Sequence, residues 1–341
     1  MVKMENFILN KENEIYYECG YSNDNCILLS LDGEKYLITD GRYTLEAKKA
    51  KAEVIEERNL IKKAREIILK KRVKKLIIDP LNWSKEEYDY LSAAVKLKND
   101  KNYSHKKRMI KKQNELEIIK KAAKLGAKAF DEFSKAIESG IDEYELSYRF
   151  KEKLTCRGKR ELSFAPIVAI NENAAKPHAK LTNKKLKKND LLLLDAGIKY
   201  KRYCSDRTRT VSINKNISMG KFQKFKNQKM QKIYDIVLKA QEKAIKTVRV
   251  GERISTLDKT ARKVIEDAGY GKYFVHSLGH GVGLDIHEWP FVNSRNDIII
   301  QEGMVFTIEP GIYLPNEFGV RIEDMVMIDF NGKTKVLSEN V

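Results

Sequence analysis

Five residues of this chain combine hard metal-binding chemistry with an apolar setting: Asp195, Asp206, His280, Glu309 and Glu323. They lie in LLLLDAGIKYKRYCSDRTRT (191–210), FVHSLGHGVGLDIHEWP (274–290) and GMVFTIEPGIYLPNEFGVRIED (303–324). A buried acid or imidazole is costly unless it is paired or coordinates a metal, so several apolar runs that end in a carboxylate ask for a common partner. A metal pair is the simplest such partner. Four carboxylates and one imidazole can hold two divalent ions about 3.5–4 Å apart through bridging carboxylates. The donor set favours Mn²⁺, Co²⁺ or Fe²⁺ over thiolate-seeking metals, with Zn²⁺ as a further candidate.

The elements that must present these groups read as strands, because each run is rich in Leu, Val, Ile, Phe or Thr and is bounded by Gly or Pro. Asp195 closes LLLLD, and Asp206 precedes RTRTVSI after a turn through residues 199–202. That pattern predicts a hairpin with one acid on each strand. Glu309, held extended by Pro310, and Glu323 predict a second hairpin around PNEFG. His276 and His280 stand at helical spacing, but Gly279, Gly281 and Gly283 oppose a helix. The glycines do not follow the dinucleotide fingerprint. They are expected instead to let the backbone approach the ions.

The ordered set DAG, SDRTRT, HSLGHGVGLDIHE, TIEPGIYLP and GVRIED resembles the pita-bread metallopeptidase family, in the branch of Xaa-Pro aminopeptidases (aminopeptidase P) and prolidases. The resemblance implies an α+β fold over nearly the whole chain. Residues 1–105 would form a small creatinase-like α/β domain, carrying TDGRY, and residues 106–341 the pita-bread catalytic domain. It implies Asp195, Asp206, His280, Glu309 and Glu323 as ligands to two divalent ions, Mn²⁺ first. Spacing alone leaves His276 open as the ligand in place of His280.

By the same resemblance, His178, His287 and Glu309 are catalytic, and His178, His276, His287 and Arg321 contact the substrate. The implied activity is release of an N-terminal residue that precedes proline, through a hydroxide bridging the metals. Prolidase action on Xaa-Pro dipeptides is the alternative. A metal-free binding module is a remote one. Peptides with proline second are the implied partners, and a homodimer the implied assembly. Around His178 the family often has Gly where this chain has Asn171, which bears on the local turn alone.

The remaining composition narrows the field. The net charge of +18 would raise nucleic acid as a partner, but the lysines are dispersed along amphipathic stretches and no nucleic-acid motif accompanies them. Cys19, Cys26, Cys156 and Cys204 form no CxxC pair, which argues against a zinc ribbon or a disulfide framework. The first residues, MVKMENFILNKEN, lack an apolar signal core, and no stretch approaches the roughly 18 apolar residues of a membrane span, so a cytoplasmic protein is expected. Short strand-like runs alternating with helical ones before residue 98 predict an α/β unit, with a long charged helix over residues 43–71. The polar stretch 98–115, containing His105, reads as a linker. Beyond it, Leu116, Ile119, Ala122, Ala123, Ala127, Phe130 and Phe133 predict an amphipathic helix, and Asp142 with Glu145 a capping box at the start of the next.

Overall fold

Alternating burial builds the first part of the chain. In the strand β2 (Cys26–Leu31), Ile27, Leu29 and Leu31 enter one apolar cluster, while Cys26 and Leu28 enter another on the opposite face. Successive side chains of a strand point to opposite faces, so a strand apolar at every position must be covered on both. β1 (Phe7–Leu9) behaves in the same way. With β3 (Glu34–Thr39), β4 (Glu53–Glu56), β5 (Lys75–Ile78) and β6 (Lys96–Asn99) they form one mixed sheet in the order β4-β3-β2-β1-β5-β6. Helices α1 (Glu12–Cys19) and α2 (Thr44–Ala47) cover one face, and α3 (Leu60–Lys70) and α4 (Lys85–Ser92) the other.

The computed structural model describes residues 5–338. It divides the chain into two compact units, the first ending at Arg108 and the second beginning at Met109. Among the described residues no helix is long and apolar enough to cross a membrane.

Two expectations for the first unit fail. The long helix over residues 43–71 is instead α2, β4 and α3, because Val54 and Ile55 pair in parallel with Leu37 and Ile38, and Asn59 then caps α3 by accepting from Lys62 N at 3.1 Å. Nor is 98–115 an unstructured linker. It holds α5 (Tyr103–Arg108), fastened by Tyr103 packing on Phe7 at 5.4 Å between ring centroids, and the start of the next helix. His105 is half-buried on α5.

In the second unit, α6 (Gln113–Ser134) buries the apolar stripe read from its sequence. Its Phe130 and Phe133 meet Phe150 of α7 (Glu143–Thr155) at 4.9 and 4.6 Å. Asp142 caps α7 through Glu145 N at 3.0 Å, while the Glu145 carboxylate turns to Arg149 Nε at 2.6 Å rather than back to the cap. Helices α8 (Gln228–Thr247) and α9 (Ile254–Asp267) build the other helical layer.

Between these layers runs β9 (Leu191–Asp195). Leu192 and Leu194 pack towards α6 and α7, and Leu191 and Leu193 towards α8 and α9. The four-leucine run is the signature of a strand buried on both faces, and Asp195 is where it surfaces from the core.

The chain order of the remaining strands is β7 (Glu161–Leu162), β8 (Ile167–Ile170), then after β9 β10 (Ile198–Tyr200), β11 (Tyr203–Cys204) and β12 (Thr208–Ser212). They are followed by β13 (Gly279–Gly281), β14 (Glu288–Val292), β15 (Val305–Ile308), β16 (Gly311–Leu314), β17 (Phe318–Arg321), β18 (Asp324–Ile328) and β19 (Thr334–Val336). Two sheets, β12-β9-β8 and β14-β13-β15-β18-β19, matter most for the site.

Candidate metal centre

The four acid candidates stand where a strand ends or begins, and the imidazole candidate His280 in the middle of the short β13. β9 and β12 are antiparallel with Asp195 opposite Thr208, so Asp206 lies just ahead of β12. The two acids belong to neighbouring strands as expected, but the connection is not a simple hairpin. A separate ribbon, β10 and β11, is inserted between them and paired with β7. Glu309 and Glu323 flank the point where the second hairpin changes sheets: Ile308 pairs with Asp324 on one side of it and Gly311 with Arg321 on the other. There Glu309 N donates to Leu278 O at 2.8 Å and Glu323 N to Thr208 O at 3.2 Å, tying each acid to a neighbouring segment.

His280 lies on β13, and its tight seat explains two glycines. A Cβ at Gly279 would stand 2.1 Å from Thr307 O, and one at Gly281 2.3 Å from Trp289 O. The glycines therefore admit the backbones of β15 and β14.

Asp206, His280 and Glu323 bring one potential ligand atom each within 4.8 Å of one another. His280 Nε2 is 3.6 Å from Asp206 Oδ2 and 3.3 Å from Glu309 Oε1. Its Nδ1 faces Gly281 O at 3.1 Å, which assigns the proton to Nδ1 and leaves the Nε2 lone pair aimed at the acids. Burial, and secondarily His287, hold the His280 pKa down to about 3, so the ring is neutral at ordinary pH.

The remaining partners are few. Asp195 Oδ2 receives Arg321 Nη2 at 2.7 Å, Glu323 Oε2 receives Thr208 Oγ1 at 2.8 Å, and Glu309 Oε1 receives Thr307 Oγ1 at 3.1 Å. Asp195 Oδ1 and Asp206 Oδ1 are buried with no hydrogen-bond partner among the described residues. Burial and then mutual repulsion push Asp206 and Glu323 well above the carboxylate range, and burial lifts Glu309 to about 8.

A neutral imidazole lone pair facing several carboxylates, two with orphaned oxygens, is satisfied by divalent cations, or in their place by protons on the acids. The residues fit a pair of divalent ions.

In metal-free protein these groups link stability to pH. Glu309, Asp206 and Glu323 have raised folded-state pKa values, so their contribution is complete below the ordinary carboxylate values of 3.8 and 4.5 and, for Glu309, is lost as pH rises through about 8. His280 is depressed, so its contribution is complete above 6.5 and is lost as pH falls towards about 3. Chelated protein is therefore expected to lose stability between pH 5.5 and 8 at this site. Thermal midpoints with chelator and with Mn²⁺ should diverge more at pH 8 than at 5.5. An equal gap would contradict the assignment of these acids to a cation site.

The other expected site residues gather at the same place. His178, His276, His287 and Arg321 line one cavity of about 660 Å³ together with all five candidate ligands. The loop that carries His178 is pinned by buried Glu143, which accepts from Ile170 N, Asn173 Nδ2 and Thr182 N at 2.7–2.8 Å. Asn171 adopts φ +46 and bonds Leu191 N through its side chain, so it supplies the left-handed turn that glycine would otherwise give.

Arg321, 3% exposed, also donates to Thr208 Oγ1, Pro177 O and Tyr313 OH. Burial disfavours its charge, but Tyr313, Asp195 and Glu309 keep it firmly protonated. Since Tyr313 receives from Arg321, its own hydroxyl proton goes to His276 Nε2 at 2.9 Å, and His276 Nδ1 donates to Ser277 O at 2.8 Å. His276 thus has both nitrogens engaged and stands outside the acid cluster.

Tyr313, Thr208, Thr307 and the apolar wall of Phe164, Val275 and Phe291 carry no local signal in the sequence that marks them as parts of the site. Buried Arg209, which holds Asp324 at 2.7 Å and so steadies the backbone beside Glu323, was legible only as part of RTRT.

The chain belongs to metallopeptidase family M24, which residues 117–329 match, and residues 2–113 match the creatinase/prolidase N-terminal domain. The fold is accordingly the pita-bread one preceded by a creatinase-like domain, and the family binds a dinuclear divalent metal site.

Among its relatives, the Xaa-Pro dipeptidase of Pyrococcus furiosus is 40% identical over 229 residues, covering 67% of this chain and 63% of that protein. The match thus spans less than two thirds of that relative's length. In structure, the chain is similar to an Xaa-Pro dipeptidase from Bacillus anthracis, with TM-score 0.89, 30% identity, and 99% of this chain and 93% of that one covered. It is also similar to an X-Pro aminopeptidase from Thermotoga maritima, with TM-score 0.86, 32% identity, and coverage of 99% and 96%.

Proposed function

We propose that this chain is a metal-dependent peptidase that hydrolyses the bond between an N-terminal residue and a following proline, with Xaa-Pro dipeptides as its main substrates. The observation that carries the proposal is the convergence of Asp195, Asp206, His280, Glu309 and Glu323 on one cavity that also presents His178 and His287. The sequence alone put the aminopeptidase reading first. The dipeptidase names of the relatives favour the alternative, and the likeness to the Thermotoga maritima aminopeptidase keeps the longer-peptide reading as the second.

Those five residues would hold two divalent ions, Mn²⁺ before Co²⁺, Fe²⁺ or Zn²⁺ because four of the five donors are carboxylates. When bound, such ions supply Lewis acidity and a water that loses its proton near neutral pH. The nitrogen of a proline peptide bond carries no hydrogen, so it must gain one as the C–N bond breaks. Glu309 is the group assigned to take the water's proton and deliver it to that nitrogen.

His178 and His287 donate to the carbonyl oxygen as negative charge develops there. Arg321 orients Asp195, and His276, with both nitrogens used internally, holds Tyr313 and Arg321 in place. The apolar wall of Phe164, Val275 and Phe291 offers hydrophobic contact to substrate side chains or the proline ring.

The test compares an Xaa-Pro dipeptide with an Xaa-Pro-Xaa tripeptide, with Mn²⁺ and again with chelator. Chelator-sensitive cleavage of the dipeptide in preference to the tripeptide is the expected result. Preference for the tripeptide, releasing its first residue, would establish the aminopeptidase reading, and no cleavage of either with any divalent ion would overturn both.

A further inference from the structure

Lys111 and Glu288 are 177 residues apart in sequence, yet Lys111 Nζ meets Glu288 Oε1 at 2.6 Å and both side chains are 1% exposed. A wholly buried lysine has given up its water, so its ammonium constrains whatever carboxylate it meets. The carboxylate in question sits beneath the turn 281–288, which links β13 with its His280 to β14 and the preceding His287.

Three observations place it there. Glu288 pairs with Gly281 across the strands. Its Oε2 lies 3.4 Å from Asp285 N. A Cβ on Gly283 would fall 2.3 Å from its Oε1, so Gly283 is the position whose missing side chain makes room for the acid. On the other side, Lys111 is itself fastened: its backbone N donates to Gly303 O at 2.8 Å, ahead of α6.

Glu288 faces inward, while His287 lines the cavity with its ring against that of His280, edge to face at 4.2 Å. Locking the Glu288 carboxylate from below fixes the rotation of the backbone at that point, and with it the direction in which His287 projects.

We infer that Lys111 is a positioning residue for the reaction: through its buried ion pair with Glu288 it sets the turn 281–288 and so the aim of His287 into the cavity. This rests on the peptidase reading, in which His287 donates to the substrate carbonyl. It gives a function to a stretch whose sequence reads as a linker.

The experiment uses the full chain, Mn²⁺-loaded, with two variants. Lys111→Met removes the ammonium at similar length, and Glu288→Asp keeps both charges but draws the carboxylate back by one methylene. A misplacement of about 1 Å can cost on the order of 100-fold in rate, so kcat on an Xaa-Pro dipeptide should fall by about 10- to 100-fold in either folded variant. KM should stay within about threefold, since the contact acts on the transition state.

The ring resonances of His287, followed by NMR on protein loaded with diamagnetic Zn²⁺ at one pH without substrate, should move in both variants. A merely structural pair would lower the thermal midpoint and leave kcat and those resonances at their wild-type values, and that result would overturn the inference. Should Lys111→Met fail to fold, Glu288→Asp decides by the same two readouts. Absence of wild-type turnover would sink the peptidase reading instead, while the His287 resonances would still test the coupling.

Discussion

Asp206→Ala is expected to lower kcat/KM by about 10³-fold and, in chelated protein at pH 8, to stabilise the fold. The two effects share one cause. Asp206 is 5% exposed, with Oδ1 unpartnered and Oδ2 3.6 Å from a neutral imidazole, and the positive charge of Arg321 does not outweigh its burial and the repulsion of Glu323, Asp195 and Glu309. With ions present it is a ligand, and losing several kcal/mol of Lewis-acid stabilisation translates into roughly three powers of ten in rate.

Without ions it is a buried, unsatisfied acid, and removing it should recover about 1–3 kcal/mol. Kinetics with Mn²⁺ and denaturant unfolding with chelator, on the same preparation, check both halves. Wild-type turnover would remove Asp206 from the site, and a less stable chelated variant would show that its carboxylate is satisfied by some other group.

The second large effect is expected at Arg321. Its guanidinium holds Asp195, Thr208, Tyr313 and the Pro177 carbonyl at 2.7–3.3 Å. Arg321→Met leaves Asp195 buried beside Glu309 with no counter-charge, and breaking a buried pair in this way costs about 3–5 kcal/mol. The same change releases the candidate ligand Asp195 and the loop at Pro177 that carries His178, so activity should fall by about 10- to 100-fold even where the protein is folded.

Arg321→Lys should not rescue it. Lysine brings a single ammonium where four acceptors are spread around a planar fork. Urea unfolding together with kcat at a permissive temperature measures both. An Arg321→Lys protein of wild-type stability and rate would mean that charge alone suffices, and the network through Tyr313 would lose its assigned importance.

Much of the site was readable because a polar residue at the end of an apolar run is a local signal. LLLLD, VFTIE and GVRIED each announce an acid emerging from a strand, and three of the histidines share the glycine-rich HSLGHGVGLDIHE. What escaped has no local signature. Arg321, two residues before Glu323, reads as a partner to a metal carboxylate, but its contact with Asp195 spans 126 residues and nothing near it in sequence says which acid it holds.

The tautomer of His276 depends on Tyr313 and Arg321 together and could not be read from any one of the three. In the first unit, lysine-rich helical periodicity over residues 43–71 masked the short strand Glu53–Glu56, whose conformation comes from its pairing with β3 rather than from its own composition. The stretch 98–115 looked like a linker because polar residues dominate it, although Lys111 within it is fully buried.

The candidate ligands are divided between two sheets. Asp195 and Asp206 border the strands β9 and β12, whereas His280, Glu309 and Glu323 belong to β13, β15 and the approach to β18. Ions held by both groups would act as further non-covalent cross-links beside the hydrogen bonds and ion pairs that already join the two, such as Thr208 to Glu323 and Arg209 to Asp324. Because a ligand that binds only the native state stabilises it by mass action, loading should suppress the partial openings in which one sheet parts from the other. The slow-exchanging amides of the two sheets would then report a single cooperative unit when ions are bound, and two units of unequal protection when they are withdrawn.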